Sequence, residues 1–171
     1  MSTNAIKKQI VKNKHLKLRD HLWPNLKEGE IWNRLKSVGF TTIPRTLSIF
    51  MTIMDKMAPK GKPVSAVYFE LWCRAYDEHF VVLVNKQEMA FHSGFTGERG
   101  VQTWTSRIDV LDKLGFIKTA PGPQGRLSYA LIINPYWVIK SHSKNKTPGL
   151  TNDLLNALMG RASEIGAEDD I

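Results

Sequence analysis

The chain has 171 residues, which fits one domain with extensions and is too short for a TIM barrel. Its 24 Lys and Arg against 16 Asp and Glu give a net charge of +8, which favours a polyanionic partner such as nucleic acid. The single cysteine, Cys73, excludes a disulfide scaffold and indicates a cytoplasmic protein. Apolar runs such as residues 80–84 are far shorter than the roughly 18 residues of a membrane helix, so we expect no membrane partner.

The charge is distributed unevenly along the chain. Residues 1–36 carry nine basic and three acidic side chains, and residues 85–146 carry nine and four. Residues 147–171 are acidic, with one basic and five acidic side chains. The two basic regions are therefore the parts that we expect to contact a polyanion, although a basic arm alone is often only a solvated surface.

Residues 1–40 are predicted to form a basic N-terminal extension. The first twenty residues mix lysines with a few aliphatic side chains, which fits either an irregular arm or a basic amphipathic helix. Trp23-Pro24 ends this segment, because the residue before a proline avoids the helical conformation. The apolar spacing predicts a second, short helix over residues 29–38, which Gly39 ends.

Two amphipathic helices are predicted next, at the start of a domain that covers residues 41–146. Pro44 marks the first turn of the first helix, and Ser65 is expected to cap the second. Apolar residues recur at spacings of three and four in both helices, which predicts one buried face on each. The predicted core residues are Leu47, Phe50, Met51, Met54 and Met57 in the first helix and Val67, Tyr68, Leu71, Trp72 and Ala75 in the second.

A strand, two helices and two further strands are predicted after these. Asn85 and Glu88 fit a capping box that opens a short helix. Gly94 interrupts the chain before a longer helix, and Gly115 ends that helix. The predicted spans are a strand at residues 80–84, helices to about residue 93 and over 97–114, and strands at 116–119 and 127–133 around a Gly/Pro turn.

This order resembles winged helix-turn-helix DNA-binding proteins, of the kind found among bacterial regulators and plasmid replication initiators. The features that carry the resemblance, over residues 64–140, are Ala90, Gly94, the apolar face Val101-Trp104-Ile108-Leu111, Leu-Gly-Phe-Ile at residues 114–117, the Gly/Pro turn and the return strand. The stop at Gly115 comes about four residues later than in the commonest spacing, which is one helical turn and keeps the faces in phase. The resemblance implies a mainly α fold with a small antiparallel β wing, extended by helices at both ends.

The expected function is therefore sequence-specific binding of double-stranded DNA, in the regulation of transcription or of the replication or partition of a bacterial plasmid, phage or mobile element. Suitable donors and acceptors lie opposite the apolar face of the long helix, at the wing and in the N-terminal extension. The candidate DNA-binding residues are Arg99, Gln102, Thr103, Ser106, Arg107, Arg126, Lys7 and Lys8. The alternative is a winged-helix module that binds other proteins in a larger assembly.

The sequence offers no constellation that predicts an enzyme, a cofactor or a metal site. It has no phosphate-binding glycine loop, and its five histidines show no ligand spacing. Asp77-Glu78-His79 places acids beside an imidazole, but at a helix-to-strand junction where polar residues are expected. Cys73 is expected to be a buried, inert thiol. We therefore expect no catalysis.

Residues 147–171 are predicted to form a final helix and an acidic tail. An apolar stripe runs through residues 151–165, from Leu154 to Ile165, with Asp153 in the first turn. Two interpretations of the stripe are open. It either forms the contact of a homodimer, as helices outside the wing often do, or packs back on the helix that ends at Met57.

Overall fold

The computed structural model describes residues 3–168, with the side chains of residues 3–9, 11 and 28 outside the described part. The chain divides into two compact units, residues 1–40 and 41–171. The first unit contains α1 (Thr3–Leu22) and a short 3-10 helix (Glu28–Glu30). The elements of the second are α2 (Leu47–Met57), α3 (Ser65–Arg74), β1 (Phe80–Val82), α4 (Lys86–His92), α5 (Gly100–Leu114), β2 (Ile117–Gly122), β3 (Gly125–Ile132), α6 (Pro135–Lys144) and α7 (Asn152–Ile165).

The N-terminal unit differs from its sequence prediction in one element. Of the two alternatives for the first residues, the helix is the one observed, because α1 continues to Leu22. The predicted helix over residues 29–38 is wrong, since only a single 3-10 turn and irregular turns occupy this range. The side chain of Asn33 accepts a hydrogen bond from the Leu35 amide at 2.9 Å. Such a local side-chain bond competes with helical hydrogen bonds and favours a turn.

Helices α2 and α3 are joined by a carboxylate that the sequence did not single out. α2 begins at Leu47, three residues later than Pro44 suggested. The predicted cap, Ser65, is instead the first residue of α3. Asp55 of α2 supplies the cap, because its carboxylate accepts the amides of Val64 at 2.6 Å and Ser65 at 2.9 Å. This bond satisfies helix-end amides from a neighbouring helix and fixes the two helices to each other.

The three strands form one small antiparallel sheet in the order β1-β3-β2. β3 lies in the middle, pairing Val81 of β1 with Ala130 and Ile117 of β2 with Ile132. β1 ends at Val82, two residues earlier than predicted. The described part of the chain is therefore mainly helical, with one small sheet whose first strand lies between α3 and α4 along the sequence and whose other two strands follow α5.

One hydrophobic core holds the second unit together. The spacing predictions for α2 and α3 are confirmed, apart from Met51, which is only half-buried. The sheet contributes alternate residues of β3, whose central strand position favours burial on one face. The largest fully buried side chains are Trp104, Tyr68, Phe50, Phe116, Ile53, Met54, Leu71, Leu83, Met89, Ile108, Leu111 and Ile117.

The C-terminal helix packs against α2 of the same chain. Leu158 and Ala162 on α7 are buried, and Leu154 and Leu155 pack against the core. The apolar stripe of residues 151–165 is thus largely covered within the chain, which is the second of the two interpretations given above. Met159 remains exposed. A homodimer through this helix stays a prediction, and its contact would have to be built around residues other than the covered stripe.

Candidate nucleic-acid interface

The candidate interface is built on the turn between α4 and α5. Asn85 caps α4 as predicted, since its side chain accepts the Glu88 amide at 3.1 Å. Gly94 takes the left-handed conformation, with φ of 83°, which explains a glycine at this point of the turn. α5 begins at Gly100, where an added Cβ would lie 2.6 Å from the backbone oxygen of Phe95. The backbone at Gly100 therefore lies close to the backbone at Phe95, and this contact sets the direction in which α5 begins.

Helix α5 has one buried face and one polar face. Trp104, Ile108 and Leu111 are buried, as the apolar spacing predicts. Positions at spacings of four, three and four make up the opposite face, which we call the polar stripe. Its residues are Gln102, Ser106, Asp109 and Lys113. Gln102 and Lys113 are exposed and Ser106 and Asp109 are half-buried, and Arg99, just before the helix, is exposed.

Two of the predicted base-contacting residues lie outside the polar stripe. Thr103 is half-buried on the flank of α5. Arg107 is also half-buried, with its guanidinium 5.7 Å from the centre of the Phe95 ring and its Nη2 donating to the Gly61 oxygen at 3.4 Å. Positions 103 and 107 precede the buried positions 104 and 108 directly, which places them on the side of the helix instead of the outward face.

Arg126 is paired with an acid on the polar stripe. Its guanidinium donates two hydrogen bonds to the Asp109 carboxylate, at 2.7 and 2.8 Å. Hydrogen bonding from Arg126 holds the pKa of Asp109 below its ordinary value. Arg126 lies on the hairpin expected to be the wing, but on β3 and outside the turn, which is Pro123-Gln124. The arginine therefore connects the hairpin to α5 instead of extending freely from it.

Several basic residues near α5 were missed by the sequence analysis. Lys86 of α4 reaches the hairpin turn, where its Nζ donates to the Gln124 oxygen at 3.2 Å. Lys60 and Lys62 are exposed in the loop that Arg107 contacts. The signal for the loop was its Lys-Gly-Lys sequence, but only the fold brings it beside the side of α5. Lys7 and Lys8 lie outside the described side chains, so their predicted phosphate contacts stay a prediction.

The two groups considered for chemistry, His79 and Cys73, lie in different surroundings. His79 Nδ1 donates to the Asp77 backbone oxygen at 2.7 Å, and its ring packs edge-on against Trp72, with 5.1 Å between centroids. Cys73 is exposed, contrary to the prediction that it is buried, because it lies on the outward side of α3. Desolvation and the Glu70 carboxylate raise the pKa of its thiol, which disfavours the nucleophilic thiolate. Among the side chains that the structure describes, no group of three or more His, Cys, Asp or Glu could hold a metal ion.

Within the part of the chain that the structure describes, no helix is both long and apolar enough to cross a membrane. No family model, no curated protein and no solved structure matches the chain.

Proposed function

We propose that the protein is a winged helix-turn-helix protein that binds double-stranded DNA sequence-specifically, with α5 as the recognition helix and the β2–β3 hairpin as the wing. The observation that carries this proposal is the element order α3-β1-α4-α5-β2-β3 combined with the sheet order β1-β3-β2. This arrangement buries one face of α5 and leaves its polar stripe directed outward. In helix-turn-helix proteins the second helix enters the major groove with such a face.

The polar stripe has side chains suited to reading base edges. The Gln102 amide can donate and accept at once, which matches the edge of adenine in the major groove. The Ser106 hydroxyl can serve as either donor or acceptor on most bases. Arg99 and Lys113 lie at opposite ends of α5, where cations contact the phosphates that flank a groove. Base reading is thus assigned to Gln102 and Ser106 in the first half of α5, and positioning to Arg99 and Lys113 at its two ends.

Basic residues beside α5 extend the surface available to the DNA backbone. Lys86 and Arg126 lie at the wing, and Lys60 and Lys62 lie in the loop next to Arg107. Phosphate contacts of this kind give affinity and orientation without sequence preference. Arg107 is assigned to this supporting role, because its guanidinium is held between Phe95 and the Gly61 oxygen.

The biological role proposed is regulation of transcription, or of the replication or partition of a bacterial plasmid, phage or mobile element, in the cytoplasm and without catalysis. A second candidate function, a module that binds another protein, is favoured by one specific observation. The outer face of the sheet exposes Phe80, Val82 and Leu131, and Phe80 stacks on Tyr129 with 5.5 Å between ring centroids. An apolar patch of this kind commonly marks a protein contact.

Salt dependence of binding distinguishes the two functions. The full-length protein is titrated with a mixed-sequence DNA duplex at several salt concentrations, and the dissociation constant is measured by fluorescence anisotropy. A DNA-binding protein that neutralises several phosphates loses affinity linearly on a log–log plot, with a slope of about −0.9 per phosphate. An interaction module gives no saturable binding at about 0.15 M salt.

The Asp109–Arg126 pair predicts an unusual gain-of-affinity substitution. Asp109→Asn removes a negative charge from the polar stripe and releases the guanidinium of Arg126 for a phosphate. Affinity for duplex DNA of any sequence should rise by about two- to tenfold at low salt, with a steeper salt slope. Glu98→Gln is the matched control, because it removes one exposed carboxylate next to α5 without releasing an arginine. An equal change in both variants, or a loss of affinity in Asp109→Asn, would contradict the assignment.

The same pair has a defined dependence on pH. Because the folded-state pKa of Asp109 is lowered, the contribution of the pair is fully present above the ordinary aspartate pKa of about 3.9. It is lost only as the pH falls through the lowered value. The difference in DNA affinity between Asp109→Asn and the natural protein should therefore stay the same from about pH 6 to about pH 8, because this range lies well above the aspartate pKa.

A further inference from the structure

The N-terminal unit exposes an unusual number of large apolar side chains for a segment so basic. Buried side chains are concentrated in the second unit, and the unit formed by residues 1–40 leaves most of its large apolar residues in contact with solvent. Those exposed are Ile10, Leu16, Leu18, Leu22, Trp23, Leu26, Trp32, Leu35, Val38 and Phe40. Isolated exposed apolar residues need no explanation, but a set this dense in 40 residues indicates a surface that binds something.

Two of the exposed tryptophans line a groove between α1 and the turns that follow it. The groove has a volume of about 630 Å³, and Trp23 and Trp32 lie on its wall together with three cationic side chains, Lys12, Arg19 and Arg34. Asp20 also lines it, but its carboxylate is paired with the Arg19 guanidinium at 2.6 Å. The groove therefore combines flat aromatic rings with an excess of positive charge.

The geometry of Trp32 leaves a ring face available to a ligand. Phe40 contacts it edge-on, with 6.3 Å between centroids and planes at 81°. Trp32 remains 69% exposed, so the contact orients the indole without covering it. An exposed aromatic face beside cations is the arrangement on which unpaired bases stack while their phosphates are neutralised.

We propose that this groove binds single-stranded nucleic acid, with bases stacked on Trp23 and Trp32 and the backbone held by Lys12 and Arg34. Charge complementarity favours a polyanion, and the concave, aromatic wall favours one that carries planar groups. A duplex offers no free base faces to these rings, so this surface differs in its ligand from α5. The proposal concerns the N-terminal unit alone and does not depend on the function proposed for the second unit.

Tryptophan fluorescence tests the proposal, because the exposed tryptophans report on separate units. Trp72 and Trp104 are buried, whereas Trp23, Trp32 and Trp137 are exposed. The full-length protein is titrated with a single strand of thymidines of about 20 nucleotides and, separately, with the matching uridine strand, a length that exceeds the site size of most single-strand binding folds. The expected result is saturable quenching by both strands.

Matched substitutions locate the binding surface. Trp32→Leu and Trp23→Leu should each weaken binding of the thymidine strand by about fivefold or more, which is the usual effect of losing one stacking contact. Trp137→Leu is the control, since Trp137 is 66% exposed on α6 and should leave the affinity unchanged. Far-ultraviolet circular dichroism confirms that each variant is folded. Equal affinities in all three variants would overturn the proposal.

Two other ligands distinguish stacking from charge alone. Heparin supplies negative charge without bases and can also bind the basic residues beside α5, so its affinity should be insensitive to Trp32→Leu. A loss of heparin affinity in Trp32→Leu as large as the loss for the thymidine strand would overturn the proposal. Binding and a blue shift of the tryptophan emission with vesicles of anionic phospholipid, and none with either strand, would also overturn it and assign the groove to a membrane surface.

Duplex binding by α5 is measured on the same samples. Gln102→Ala should leave affinity for the thymidine strand unchanged, because the polar stripe belongs to the other unit. Failure of single-strand binding with intact duplex binding would contradict only the inference about the groove. The reverse result would contradict only the function proposed for α5.

Discussion

Replacing Trp104 by alanine is expected to lower the free energy of unfolding by about 3–5 kcal/mol. Trp104 is fully buried on the inner face of α5, and it is the largest of the fully buried side chains that the structure describes. Its removal leaves a cavity in the core that neighbouring side chains cannot fill without moving from their rotamers. Urea denaturation followed by circular dichroism measures the change.

Two controls make this result specific to burial. Trp137→Ala should change the unfolding free energy by no more than about 0.5 kcal/mol, since the side chain is mostly exposed. Trp104→Phe should cost less than Trp104→Ala, because a ring is retained and the buried indole N–H, which has no hydrogen-bond partner among the described residues, is removed. Full stability of Trp104→Ala with loss of DNA binding would place Trp104 on the outward face and contradict the polar stripe.

Replacing Arg74 by methionine is expected to destabilise the contact between α3 and α4 by about 2–3 kcal/mol. Its guanidinium pairs with Glu70 one turn earlier and with Glu88 of α4, the latter at 2.9 Å. Burial lowers the pKa of Arg74, but hydrogen bonds with both carboxylates raise it above its ordinary value. The expected cost is below that of fully buried pairs, because the Arg74 side chain is 28% exposed.

The physical origin of that loss can be separated from lost packing. Glu70 is almost fully buried, so Arg74→Met leaves its charge without the arginine partner. The His92 ring, 3.3 Å from the Glu70 carboxylate, replaces the arginine only in part. Glu70→Gln added to Arg74→Met should therefore recover about half of the lost stability, since the buried charge is gone. Chemical denaturation of the two single variants and the double variant gives the coupling. Additive effects would show that the pair contributes nothing beyond its packing.

Local patterns predicted the helices and the turn at the centre of the candidate interface. Several features depend only on neighbours within a few residues, so the local sequence is enough to predict them. They are the cap formed by Asn85 and Glu88, the left-handed conformation of Gly94 and the end of α5 at Gly115. The buried face of α5 was equally predictable, because a spacing of three and four maps directly onto one side of a helix. The local prediction that was wrong is the helix over residues 29–38, because the Asn33 side chain competes for backbone hydrogen bonds there.

Contacts between distant segments could not be predicted in the same way. The Asp109–Arg126 pair joins residues 17 positions apart, and Arg107 meets the loop at Gly61 across 46 positions. The Asp55 cap of α3 crosses a loop in the same manner. A sequence pattern indicates which helix or hairpin an arginine belongs to. Only the packing of the elements decides which partner its guanidinium meets.

Selection of binding sites from a random duplex library tests the assignment of α5 most directly. The natural protein, Gln102→Ala and the double variant Lys60→Ala/Lys62→Ala are each used to enrich bound sequences at about 0.1 M salt. One enriched site is expected for the natural protein. Gln102→Ala should relax the preference at one or two positions of that site, at a cost of about 1–3 kcal/mol, while the lysine variant should weaken all sequences alike. Absence of any enriched sequence, or a changed preference in the lysine variant with none in Gln102→Ala, would contradict the assignment of α5.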